Sequence, residues 1–160
     1  MSEHTLSILV DNRPGVLTRV TGLIARRGYN IESLAVDKTE DPRLSRVTLV
    51  TSAEEVPIEQ IKKQLHKLIN VHKIVELTPE DSVDRELVLF KVKAPTAKRP
   101  ELIKLAEMYK AQVIDVATDT LTIEATGTHD NLAQLEQLLS PYGIVEIARS
   151  GKLALPRGKR

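Results

Sequence analysis

The stretch TLSILVDNRPGVLTRVTGLIARRGYNI, residues 5–31, decides the fold because the hydrophobic period changes inside it. Leu6, Ile8 and Val10 alternate with Thr5, Ser7 and Leu9, the period of two expected of a strand. From Val16 onward, Val16, Val20, Leu23 and Ile24 share one helical face, with Arg19, Arg26 and Arg27 away from its centre. Asp11-Asn12-Arg13-Pro14-Gly15 separates the two patterns, and Gly28 is a natural helix stop.

Working outward, residues 31–37 and 46–51 read as strands separated by a polar turn. Pro57 opens a second helix with an apolar stripe of Ile58, Ile61, Leu65, Leu68 and Ile69, and residues 71–77 return as a strand. The order is β-α-β-β-α-β. Thr78-Pro79-Glu80-Asp81-Ser82 is polar and turn-rich, and the same order follows it. Strands are expected at 86–93, 113–117, 121–125 and 144–148. Pro100 opens a helix carrying Leu102, Leu105, Ala106 and Tyr109. Thr128 caps another with the stripe Leu132, Leu135 and Leu139.

The predicted class is α+β: two consecutive ferredoxin-like units, each an antiparallel sheet with helices on one face. The expected organisation is a first domain over 4–78, a linker over 79–84, and a second domain with a basic tail over 85–160. The tail GKLALPRGKR reads as a frayed, solvated end, with a partner contact as the alternative. Small units with an aliphatic core gain from pairing, so a homodimer is expected.

Composition excludes several classes. The 160 residues include no cysteine, so neither a disulfide framework nor a thiolate nucleophile or ligand is available. A formal charge of +1 lacks the basic excess of a nucleic-acid surface, and without Trp there is little to stack bases on. No apolar run approaches the roughly 20 residues of a membrane span, and the N-terminus does not read as a secretory signal. The expectations are no nucleic acid, no membrane and a cytoplasmic location.

No catalytic set is legible. His4, His66, His72 and His129 are scattered without metal-ligand spacing, and His66 reads as a surface residue beside Lys62, Lys63 and Lys67. The acidic pairs Glu40-Asp41, Glu54-Glu55 and Glu80-Asp81 fall in expected turns, where solvation explains them. Catalytic, metal and cofactor-binding residues are therefore expected to be none in this chain.

One constellation points to a ligand. Asn12, Pro14 and Gly15 stand at a helix start, where unpaired N–H groups and the positive end of the helix dipole suit an anion. A loop this short, with a single Gly, fits an amino-acid carboxylate better than a large phosphate ligand. Asn30 follows the first helix and is expected on the same side of the unit, where its amide suits both ends of an amino acid. Turn formation and capping explain the same residues without a ligand, so both readings stand.

The segment TLSILVDNRPGVLTRVTGLIARRGYNIESLAVDKTEDPRLSRVTLV closely resembles the first domain of the small regulatory subunits of acetolactate synthase, also called acetohydroxyacid synthase. VDRELVLFKV at 83–92, IEATGTHDNLAQLEQLLSPYGIVEIARSG at 123–151 and the terminal ALPRG reinforce the match. The resemblance implies that the first unit is an ACT domain and the second is ACT-like. It implies a non-catalytic subunit that activates a catalytic large subunit in branched-chain amino-acid synthesis and confers feedback inhibition by valine. Thiamine diphosphate, magnesium and FAD are implied for the large subunit, none for this chain. Carried over by motif, Asn12 and the Gly15-Val16 backbone would hold the effector's carboxylate, with Asn30 and the Ile31 backbone orienting it across a dimer interface. Asp11 and Tyr29 depart modestly from the Glu and Phe common there. The alternatives at this stage are an ACT sensor regulating another metabolic enzyme, a ligand-responsive transcription regulator and a stand-alone enzyme.

Overall fold

The protein is described from a computed structural model covering residues 2–53 and 57–158. The chain divides into two compact units, Met1–Asp84 together with Lys152–Arg160, and Arg85–Gly151.

The first unit runs β1 (Ser2–Asp11), α1 (Val16–Arg26), β2 (Asn30–Lys38), β3 (Leu44–Ala53), α2 (Ile58–His66) and β4 (Val71–Leu77). Its sheet has the order β2-β3-β1-β4 with every neighbour antiparallel, so β1 and β2 run in the same direction and β2 is an edge. Alternation on β1 and β3 places Leu6, Ile8, Val10, Val47 and Leu49 in the core, and the two helices cover that face with Val20, Ile24, Ile61 and Leu65. Each fully buried aliphatic side chain contributes about 1.5–3 kcal/mol relative to exposure. Tyr29 is buried at the α1–β2 junction, and its hydroxyl donates to the Pro57 carbonyl at 2.7 Å, which satisfies the one polar atom the ring brings inside.

The second unit contains most of β5 (Ser82–Lys93), then α3 (Arg99–Met108), β6 (Gln112–Val116), β7 (Thr120–Gly127), α4 (His129–Leu139) and β8 (Ile144–Arg149). The sheet order β6-β7-β5-β8 repeats the first topology strand for strand. Val88, Phe90, Val92, Leu121 and Ile123 meet Leu102, Ala106, Leu132, Leu135 and Leu139. Thr128 caps α4 as expected, its hydroxyl accepting from the Asn131 N–H at 3.4 Å.

Several expectations need correction. The helix stripe does not reach Ile69, which is 89% exposed because α2 ends at His66. The supposed linker 79–84 already contains the start of β5, since strand pairing overrides the turn composition. The tail is not frayed over 153–156: β9 (Leu153–Pro156) pairs with β5, and residues 82–84 of β5 are grouped with the same unit as β9. Ala154 is 5% exposed, the Lys152 N–H donates to Ser33 Oγ at 2.9 Å, and the Arg157 N–H donates to the Asp81 carbonyl at 2.8 Å. A boundary placing all of 85–160 in the second unit therefore differs from the division found, because residues 152–158 find their partners in the first. Glu54-Glu55 and the last two basic residues of the tail lie outside the described residues.

Candidate functional site

The loop between β1 and α1 is held by its backbone first. The Asp11 N–H donates to the Asn70 carbonyl at 2.9 Å, and the Asn12 N–H to the Arg43 carbonyl at 2.8 Å. Side chains reinforce that anchoring. Asp11 Oδ2 accepts from the Asn70 amide at 2.8 Å, and Asp11 Oδ1 lies 2.6 Å from His72 Nε2. Arg19 on α1 donates to Asn70 Oδ1 at 2.7 Å, completing a row from helix to loop. The bonds from His72 and then from Asn70 hold the Asp11 carboxyl below its ordinary range.

Gly15 is the N-cap of α1, at φ +85°, in the left-handed region that favours glycine. A Cβ built there meets nothing within 4 Å, so the space in front of the helix is open. No side chain caps the helix, and its first turn carries no acidic residue. Asn12, expected as a cap, instead donates its amide to the Pro42 carbonyl at 3.0 Å, because the β2–β3 turn reaches the loop before the helix end does. The Val16 N–H turns back to the Arg13 carbonyl at 3.4 Å, and the N–H groups that follow it stand without a side-chain cap at the positive end of the helix dipole.

That turn is itself braced. Arg43 grips Asp41 through Nε to Oδ1 at 3.0 Å and Nη2 to Oδ2 at 2.8 Å, and its N–H donates to Oδ1 at 3.0 Å. The fork, then the backbone bond, lowers the Asp41 pKa to about 2. Asn12, Pro42, Arg43 and His72 line an open hollow of about 700 Å³ beside the loop.

Asn30 does not join this group. It pairs with Ser52, which in turn pairs with Glu3 at the opening of β1, whereas Asp11 at the other end of β1 pairs with Leu44. Leu44 to Ser52 is eight steps along β3, or roughly 26 Å at about 3.3 Å per residue. The expectation that Asn30 returns to the side of the first loop is wrong for one chain, because β1 and β2 run in the same direction and the loop follows the end of one while Asn30 begins the other. Asn12, Gly15 and Val16 come together, and Asn30 and Ile31 form a separate pair of positions on the edge strand.

At that far end the Asn30 amide donates to Glu32 Oε1 at 2.8 Å, as does the Ser52 hydroxyl, and Thr51 Oγ1 donates to the Asn30 carbonyl at 2.8 Å. The bonds from Ser52 and then Asn30 hold the Glu32 carboxyl below its ordinary range. Sequence reasoning missed Glu32, Ser52, Asn70, Arg43 and the Asp11–His72 pair. Only Glu32 carried a local signal, two residues from Asn30 along a strand.

The remaining histidines lie at separate places in the fold. His4 Nδ1 lies 2.6 Å from Glu76 Oε2, His129 Nδ1 lies 3.3 Å from Glu86 Oε2, and His66 is exposed on α2. Among the described residues no group of three metal-ligating side chains converges, and no helix is long and apolar enough to cross a membrane. Chemically the loop is suited to meeting a small anion with backbone donors.

Residues 6–73 match the family described as the AHAS small subunit-like ACT domain, and residues 85–158 match the small subunit of acetolactate synthase. The acetolactate synthase small subunit of Mycolicibacterium smegmatis is 54% identical over 157 residues, covering 98% of this chain and 92% of that protein. A probable acetolactate synthase small subunit of Archaeoglobus fulgidus is 48% identical over 158 residues, covering 99% of each. The crystal structure of the acetolactate synthase small subunit from Thermotoga maritima superimposes with a TM-score of 0.92 at 38% identity, over 100% of both chains. With the ACT topology of the first unit, the ACT-like repeat in the second and full-length similarity of this order, the chain belongs to the family of acetolactate synthase small subunits, the regulatory partners of that synthase's catalytic subunit.

Proposed function

We propose that this chain activates the catalytic large subunit of acetolactate synthase and makes it sensitive to feedback inhibition by valine, bound between the ACT units of two copies. The observation that carries the reading is the start of α1. It is an uncapped helix N-terminus with no acid in its first turn, opening behind a left-handed glycine onto free space. A carboxylate there takes the N–H donors that the chain leaves over.

The separation of the two half-sites supports the second copy. β2 is an edge of its sheet, α1 packs on it, and α1 starts at the end of β2 remote from Asn30. A twofold pairing of two β2 edges is antiparallel, so it carries Asn30 and Ile31 of one copy toward the Asn12-Gly15-Val16 loop of the other. One chain then contributes donors for the carboxylate, and its partner contributes the polar edge that orients the rest of the amino acid. A carboxylate that also reaches Asn12 exchanges the amide's bond to Pro42 for its own, and so acts on the β2–β3 turn.

Valine inhibits by binding one dimer geometry better than another, with the favoured geometry holding the large subunit in a less active state. A coupling of about 1–3 kcal/mol corresponds to roughly a 5–150-fold change in that balance. The large subunit would condense two pyruvates, or pyruvate with 2-oxobutanoate, in the cytoplasm, with thiamine diphosphate, magnesium and FAD as its own cofactors.

Reconstitution tests this directly. Acetohydroxyacid formation by the cognate large subunit is measured with and without this chain across a valine titration. Stimulation followed by valine-dependent inhibition is the expected result. Stimulation that valine leaves untouched removes the effector site, and no effect of the chain removes the proposed role.

A further inference from the structure

We propose that Glu32 is a positioning residue that turns the Asn30 amide so that its oxygen faces the bound effector's ammonium, which makes the site select α-amino acids over their deaminated counterparts. The inference rests on the proposed effector site between two copies and names how that site recognises the amino group.

The argument begins with what a carboxylate can do. Ionised Glu32 has acceptors only, so the atom of the planar Asn30 amide lying 2.8 Å from Oε1 is the NH2 group, and among the described residues no donor takes Asn30 Oδ1. An ammonium has donors only and needs such an oxygen. Without Glu32 the amide is free to rotate, and half of its orientations would turn NH2 toward the ammonium.

Two features hold Glu32 in place. Ile31 pairs with Thr51 and Ser33 with Val50, which leaves Glu32 as the extra residue of a β-bulge on the edge strand. A bulge re-aims a side chain, and here it returns the carboxylate toward Asn30. Ser52, 5% exposed on the neighbouring strand, then donates its hydroxyl to the same oxygen at 2.8 Å. The Thr51 hydroxyl on the Asn30 carbonyl restrains the backbone at the same point.

The test is isothermal titration of the full-length chain with valine and with 3-methylbutanoate, which keeps valine's carbon skeleton and carboxylate and lacks the amino group. Wild type is expected to prefer valine. Glu32→Ala is expected to lower valine affinity roughly tenfold or more, the loss for a hydrogen bond to a charged group, while leaving 3-methylbutanoate unchanged. Equal losses for both ligands, or no loss for either, overturn the assignment, because a merely structural Glu32 does not distinguish them. Circular dichroism melting reports whether the variant folds. Should Glu32→Ala fail to fold, Ser52→Ala decides: a fall of a few-fold in the preference supports the assignment, and an unchanged preference overturns it. Wild type that binds no valine at all fails the proposed function itself, a result distinct from either.

Discussion

Replacing Gly15 by Asp separates the effector site from the fold. Gly15 sits at φ +85°, where a residue with a Cβ costs roughly 1–2 kcal/mol, less for Asn and Asp, which tolerate the left-handed region. A Cβ at this position meets nothing within 4 Å, so its attachment adds no clash to that cost, and the unit is expected to fold. The carboxylate it carries stands where a ligand carboxylate approaches α1. Two like charges about 4 Å apart repel by about 1 kcal/mol in water and about 4 kcal/mol at an effective dielectric of about 20. That predicts a loss of valine affinity between about 5-fold and about 900-fold. Gly15→Asn has the same shape without the charge and is the comparator. The assay is calorimetric valine binding to wild type and both variants at low and high salt, with melting to report the fold. Asp is expected to bind more weakly than Asn, with the gap narrowing as salt rises. Wild-type affinity in the Asp variant refutes the placement of the carboxylate.

Arg43→Ala is expected to raise the Asp41 pKa from about 2 toward the ordinary value near 3.8, read by NMR titration of its carboxyl. Because the folded pKa is depressed, Asp41 contributes stability above its unfolded pKa that is lost as pH falls through about 2, and the variant keeps only the part of that acid-side dependence due to the backbone N–H at position 43. Phe90→Ala, at a fully buried position of the second core, is expected to cost about 3–5 kcal/mol in denaturant unfolding. Thr128→Ala removes a long capping bond of 3.4 Å and is expected to cost about 0.5–1 kcal/mol in the same experiment. Deleting residues 152–160 removes the bonds from Lys152 to Ser33 and from Arg157 to Asp81, and is expected to destabilise the first unit by about 2–3 kcal/mol, read as faster hydrogen exchange of β1 amides. Unchanged exchange there would show that the tail contributes nothing to that unit.

Much of the fold was legible from the amino acids because its signals are local. Leu6, Ile8 and Val10 alternate with a period of two, and Val16, Val20, Leu23 and Ile24 recur at helical spacing, so neighbouring residues alone define β1 and α1. Thr128 ahead of α4 was read in the same way. Gly15 at a helix start pointed to the loop, and the structure adds its left-handed backbone and the open space before it.

What failed, apart from the helix stripe extended to Ile69, was the placement of particular residues by partners far apart in the chain, whereas the antiparallel ferredoxin-like class was found as expected. Asn12 was expected to cap the helix that starts four residues on, but Pro42, 30 residues on, takes its amide. Lys152 reaches Thr5 across 147 positions, which no composition of the tail could announce. Asn30 looked close to Asn12 because the chain folds back through α1, yet strand direction puts the two at opposite ends of the sheet. Side-chain periodicity specifies which face of an element is buried. Which end of which strand meets which loop is set by sheet order and register, and these follow from long-range pairing that only the assembled tertiary structure decides.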